Sequence, residues 1–121
     1  MKFQNIMIAL LLAAIAGTAY SASIPKGKEN ITFKSKTGTV TFHHKRHADL
    51  SFTKCTTCHH TWDGKEKIKA CKECHKKSDE IMAPKKKTAF HTRCSGCHEY
   101  TVSQGKKAGP QPKQCKLCHI K

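Results

Sequence analysis

Four copies of one five-residue pattern constrain this chain more than anything else in it: Cys55-Thr56-Thr57-Cys58-His59, Cys71-Lys72-Glu73-Cys74-His75, Cys94-Ser95-Gly96-Cys97-His98 and Cys115-Lys116-Leu117-Cys118-His119. Each reads C-x-x-C-H, and together they use all 8 cysteines. Cysteines at i and i+3 fall on one side of a helical turn. Two thiols so placed can add to the two vinyl groups on one porphyrin edge. The histidine that follows lies one turn past the first cysteine, within reach of the iron. The pattern is the attachment signature of a c-type haem. It implies four haem c groups held by Cys55, Cys58, Cys71, Cys74, Cys94, Cys97, Cys115 and Cys118, with His59, His75, His98 and His119 on the irons. Two other uses of paired cysteines compete: half of a zinc knuckle and a disulfide framework. Neither constrains the residue after the second cysteine, which is histidine all four times in a chain with 9 histidines.

The first residues carry a second signal. Met1-Lys2 gives a short positive start, Ile6 to Ala16 is apolar, and Gly17 to Ser23 is rich in small residues. That order reads as a secretory leader, too short for a spanning helix. Ala19-Tyr20-Ser21 satisfies the small-x-small rule, which places cleavage after Ser21, with Ala19 and Ala22 as alternatives. An uncleaved N-terminal anchor is the competing reading. The domain plan is therefore a leader over 1–21 and one domain over 22–121, with a mature protein that is soluble and periplasmic. About 100 residues hold one domain at most, and their apolar content is too low for a self-sufficient core. The haems are expected to form the core, and the haem-free chain to be largely unfolded.

Ile31-Thr32-Phe33 and Thr39-Val40-Thr41-Phe42 are β-rich runs around Lys36-Thr37-Gly38, which predicts a hairpin. Beyond Phe42 the chain is polar and lysine-rich, with a short helical turn expected at each motif. A longer helix is expected from about Ser78 to Met82, ending before Pro84, and another through Thr88 to Cys97. Gly105, Gly109, Pro110 and Pro112 mark an irregular loop. The motif starts lie 16, 23 and 21 residues apart, without the fixed period of a solenoid. The expected fold is small, mostly irregular and α-helical, with an N-terminal hairpin.

Each iron has two axial positions, and the motifs fill one apiece. Five histidines remain for four vacant positions: His43, His44, His47, His60 and His91. After residue 21 only Met82 offers a thioether, so a histidine–methionine pair serves one haem at most. The count favours four bis-histidine haems and one spare histidine. Such irons carry no open position for substrate, and two imidazoles favour a lower potential than a histidine–methionine pair. Electron transfer is therefore expected over bond chemistry.

The stretch Val40-Thr41-Phe42-His43-His44-Lys45-Arg46-His47, followed by Cys55-Thr56-Thr57-Cys58-His59-His60 and Gly64-Lys65-Glu66, resembles the class III multihaem cytochromes c. These are small periplasmic tetrahaem proteins of anaerobic, sulfate-reducing bacteria, with trihaem relatives in metal- and sulfur-reducing bacteria. The resemblance runs from Ile31 to the end of the chain and implies a ligand map. The family's H-x-x-H pair matches His44 and His47, which would oppose His59 on the first haem and His98 on the third. Its doubled histidine after the first motif matches His60, which would oppose His75 on the second. Its histidine ahead of the third motif matches His91, which would oppose His119 on the fourth. His43 would be the spare, and Phe42 an aromatic packed by the haems. The chain departs from many tetrahaem members in having two residues, not four, between the cysteines of its second and fourth motifs. His91 also stands only three residues before Cys94, as in the trihaem proteins. Those proteins lack the second haem, for which this chain carries Cys71, Cys74, His75 and His60.

The formal charge is +15. Loss of Lys2 and the addition of eight ionised propionates would leave the holoprotein near about +6. Lysines cluster at Lys65, Lys67, Lys69 and Lys72, at Lys85-Lys86-Lys87, and at Lys106, Lys107, Lys113, Lys116 and Lys121. Part of this charge solvates the surface and balances propionates. An exported protein has no nucleic acid to meet, so the remainder is expected to steer acidic redox partners. In the family, a lysine patch around the fourth haem is the docking face for hydrogenase or a similar donor, the other partners being membrane-associated or periplasmic redox proteins. The expected function is a monomeric periplasmic electron carrier, not an enzyme. A haem-dependent metal- or sulfur-species reductase is the alternative, and a zinc-knuckle interaction protein a second.

Overall fold

The structure, a computed structural model, describes residues 23–121. The expected leader over 1–21 and its expected cleavage site lie outside the described residues. Strand β1 (Ile31–Ser35) pairs antiparallel with β2 (Gly38–Phe42). Phe33 stands opposite Val40 and Ser35 opposite Gly38. The β-branched residues Ile31, Thr32, Thr39, Val40 and Thr41 favour this pleated state, and Lys36-Thr37 makes the turn.

Gly38 is required twice over. Its φ of 135° lies in a region that side chains avoid, and a Cβ there would come within 2.8 Å of the Ile120 carbonyl oxygen. That close approach is a docking contact. The Thr39 N–H donates to the Ile120 oxygen at 2.7 Å and the Ile120 N–H to the Thr39 oxygen at 3.0 Å. A residue far along the chain thus joins the open edge of β2 as an isolated bridge.

The rest is short helices and irregular chain: α1 (His44–Ala48), α2 (Cys55–Cys58), α3 (Cys71–Cys74), α4 (Lys86–His91), a π turn (Thr92–Gly96), α5 (Cys97–Ser103) and α6 (Cys115–Cys118). The fold is the small, mostly irregular and α-helical one with an N-terminal hairpin that the sequence implies. Helix α1 had no separate signal in the sequence. The helix expected at Ser78–Met82 does not form. There Glu80 and Ala83 exchange backbone hydrogen bonds at 3.0 and 3.2 Å around Ile81-Met82. Pro84 biases Ala83 away from helical ψ, and so short a segment cannot repay helix nucleation. The Asp79 Oδ1 instead accepts the N–H of Lys85 at 2.9 Å, and Lys85 Nζ closes an ion pair with the same carboxylate at 3.2 Å. The helix expected from Thr88 to Cys97 forms and continues to Ser103.

No apolar side chain among the described residues is buried, and Thr101, 8% exposed, is the one buried residue. Phe33 meets Phe90 edge-on at 4.9 Å, fastening the hairpin to α4. No described helix is long and apolar enough to cross a membrane.

Candidate functional site

Three of the four motifs fold as single helical turns that begin on the first cysteine and end on the second. The N–H of the next residue closes each turn: His59 to the Cys55 oxygen at 2.9 Å, His75 to Cys71 at 2.9 Å and His119 to Cys115 at 2.8 Å. The backbone turns away at that histidine, with ψ of 60°, 99° and 97°. Side-chain oxygens support two of the turns from below. Thr57 Oγ1 accepts the Lys54 N–H at 3.3 Å, and Glu73 Oε1 accepts the Ala70 N–H at 2.6 Å. The third motif sits inside the long α4–α5 segment, with Cys94 in the π turn and Cys97 opening α5.

Every motif histidine faces one other imidazole. Ring centres are 6.1 Å apart for His44 and His59, 6.1 Å for His47 and His98, 5.9 Å for His60 and His75, and 6.2 Å for His91 and His119. A first-row metal bonds an imidazole nitrogen at about 2 Å, and that nitrogen lies about 1 Å from its ring centre, so two trans imidazoles hold their centres about 6 Å apart. All four separations admit one iron. The planes cross at 70° in the first pair, 48° for His60 and His75, and 29° in the other two. The residues present therefore fit haem: two cysteines on one turn, an imidazole beside them and a second imidazole across.

Hydrogen bonds at Nδ1 fix the tautomer of most rings. The Nδ1–H donates to a backbone carbonyl in His44 (Lys28, 2.9 Å), His47 (His43, 2.8 Å), His75 (Pro84, 2.8 Å), His91 (Lys87, 2.7 Å) and His98 (Pro110, 2.7 Å). A carbonyl can only accept, so Nε2 in each ring keeps its lone pair for a metal. His43 faces no other ring. Its Nδ1 lies 2.7 Å from the Asn30 Oδ1. Burial, and then the charge of His44, lower the pKa of His59, which favours the neutral imidazole that ligation needs.

The four pairs are linked by shared elements. His59 and His60 are consecutive and serve the first and second pairs. His44 and His47 leave α1 for the first and third, with Phe42 between them at 5.8 and 4.6 Å from their rings. His91 and His98 stand on one helical segment and serve the fourth and third. Seven residues of regular α-helix would leave them on nearly the same face. The π turn underwinds the segment, so the two imidazoles leave it toward different partners, His119 and His47. The pairs therefore run second, first, third, fourth along the fold.

Zinc is poorly served. No three described His, Cys, Asp or Glu side chains converge as a metal cage, whereas a structural zinc takes four thiolate or imidazole ligands. None of the eight cysteines pairs with another in a disulfide. Burial raises the pKa of Cys58 and takes Cys94 up to about 11, although Cys94 keeps a solvent-accessible face. Raised thiol values of this kind count against a reactive thiolate at either position before haem attachment. What sequence reasoning missed is the set of Nδ1 acceptors. Backbone carbonyls carry no residue signature, and the hydroxyls of Ser35 and Thr37 near His119 belong to the distant hairpin.

The model of the class III cytochrome C family matches residues 19–119. Cytochrome c3 of Maridesulfovibrio salexigens is 40% identical over 91 residues, covering 68% of this chain and 78% of that protein. Cytochrome c7 of Geobacter metallireducens is 29% identical over 111 residues, covering 92% and 97%. Among solved structures, PpcE, a cytochrome c7 from Geobacter sulfurreducens, aligns over 77% of this chain and 99% of its own at 32% identity, with a TM-score of 0.46. With its family model spanning nearly the whole sequence, the chain belongs to the class III cytochromes c, multihaem proteins of electron transport.

Proposed function

We propose that this protein is a periplasmic, low-potential carrier holding four haem c groups, each closed on both faces by histidine. The observation that carries the reading is the set of four imidazole pairs, every one joining a motif histidine to a non-motif histidine at 5.9 to 6.2 Å. The ligand pairs are His44 with His59, His60 with His75, His47 with His98, and His91 with His119. Haem iron, when bound, supplies a reversible one-electron ferric–ferrous couple. The protein's part is to hold each imidazole in a fixed tautomer, to deny the metal an open position and to keep the four sites adjacent through shared elements. Two imidazoles per iron favour the ferric state and so a low potential.

The same reading gives the partners a chemistry. Among the described residues the ion pairs are Lys45–Asp49 and Lys85–Asp79. The lysines around the fourth motif join neither. Lys106 lies over the Phe52 ring at 5.0 Å, and Lys107, Lys113, Lys116 and Lys121 are exposed. An unneutralised cationic face beside an electron-carrying site suits an acidic donor such as a hydrogenase.

Intact-mass measurement of the protein exported by an anaerobic host should give the chain less its leader plus four haems, with a low-spin spectrum at every stage of a redox titration. Three haems, or high-spin bands in the oxidised wild type, would overturn the four-site, closed-iron reading, and high-spin bands would favour a reductase. Reversing the charges of Lys106, Lys107, Lys113 and Lys116 should slow reduction by an acidic partner at low salt and flatten its ionic-strength dependence. Unchanged rates would remove the fourth site as the docking face.

A further inference from the structure

His119 differs from the other Nδ1-bonded ligand candidates. The Nδ1 of His44, His47, His75, His91 and His98 meets a backbone carbonyl, whereas the Nδ1 of His119 lies 3.2 Å from Ser35 Oγ and 3.1 Å from Thr37 Oγ1. The hydrogen positions follow from the surroundings. Ser35 Oγ donates its own hydrogen to the Gly38 oxygen at 2.8 Å, and the two hydroxyl oxygens are 2.9 Å apart. Ser35 has no hydrogen left for His119, so it accepts there, and the hydroxyl hydrogen of Thr37 can go to Ser35 Oγ. The Nδ1–H of His119 is then shared between two hydroxyl oxygens, both on the hairpin. The hairpin is held against this residue by the Thr39–Ile120 bridge, and Gly38 permits the approach.

We propose that Ser35 and Thr37 are positioning residues for the fourth haem, acting through His119: they fix its ring and set the potential of that haem separately from the others. The inference rests on the reading of His119 as a ligand of that haem. An acceptor at Nδ1 makes the imidazole a stronger base and so stabilises the ferric state. A hydroxyl that also donates onward is an adjustable acceptor, set by the hairpin turn, where a backbone carbonyl is fixed. Removing both hydroxyls weakens the base and favours the ferrous state at the fourth haem alone.

The test is a haem-resolved NMR redox titration of the holoprotein, with EPR of the oxidised state. Ser35→Ala combined with Thr37→Val should shift the ferric–ferrous ratio of the fourth haem about tenfold toward ferrous, about 59 mV for one electron, with the other three unmoved. Ser35→Ala alone leaves the Thr37 oxygen and should give a smaller shift. Thr37→Ser keeps a hydroxyl and should behave as wild type. An unmoved fourth potential in the double variant overturns the inference, and so does a Thr37→Ser shift as large as that of the double variant. If the double variant fails to mature, Ser35→Ala decides: an unmoved fourth potential there overturns the inference. Wild-type protein without a low-spin fourth haem would instead overturn the underlying ligand reading, so the two failures are distinguishable.

Discussion

His43 and His44 are neighbours with identical side chains, and the fold gives them different work. The His43 ring is tied to Asn30, while His44 anchors on the Lys28 carbonyl and presents its far nitrogen toward His59. His44→Ala should therefore turn one haem in four high-spin, visible in the EPR of the oxidised protein, while His43→Ala should leave all of them low-spin. The same comparison shows what was legible at this scale. Cysteine spacing is local, so every motif cysteine and motif histidine can be read from the sequence alone. The remaining histidines could be counted from composition, but their pairing depends on a chain path that no local pattern encodes. The hydroxyls on His119 were invisible for the same reason, being 84 and 82 residues away from it.

Among the elements, the segment from Lys86 to Ser103 shows how winding sorts ligands. Its π turn separates two imidazoles that regular winding would align. The expectation of a helix through Thr88 and Cys97 came from composition and was correct about its place. The π turn had no signal there, because it is a phase error that residue types do not announce. The failed helix before Pro84 shows the converse: five residues from Ser78 to Met82 in a helical rhythm lose to the backbone tie made by the Asp79 carboxylate. Hydrogen bonds from the Lys85 N–H and then its side chain hold the Asp79 carboxyl below the usual carboxylate range. A lowered folded value means the tie contributes above the unfolded value, about 4, and is lost as pH falls through the folded one. Exchange of the Lys85 amide, corrected for its intrinsic rate, should accelerate below about pH 4. Asp79→Asn should show faster exchange already at neutral pH.

At the scale of the whole molecule, a chain with no buried apolar side chain among its described residues cannot be held together by its own side chains. Single-turn helices of four residues have no independent stability either. Haem-free protein, made with the cysteines intact under reducing conditions, should show no cooperative melt by circular dichroism or calorimetry, whereas the holoprotein should. The bridge between Thr39 and Ile120 bears on how such a molecule is built. It closes a loop containing all four motifs, and long loops lose much chain entropy on closing. On the proposed ligand map, each porphyrin gripped at both faces would draw distant histidines together and take up slack in that loop. The closure would then become favourable only after the slack is gone, which predicts that attachment precedes docking of the hairpin. Maturation and folding are then one process, and an intermediate missing a single haem would be recognisable by an open, protease-sensitive junction at Gly38.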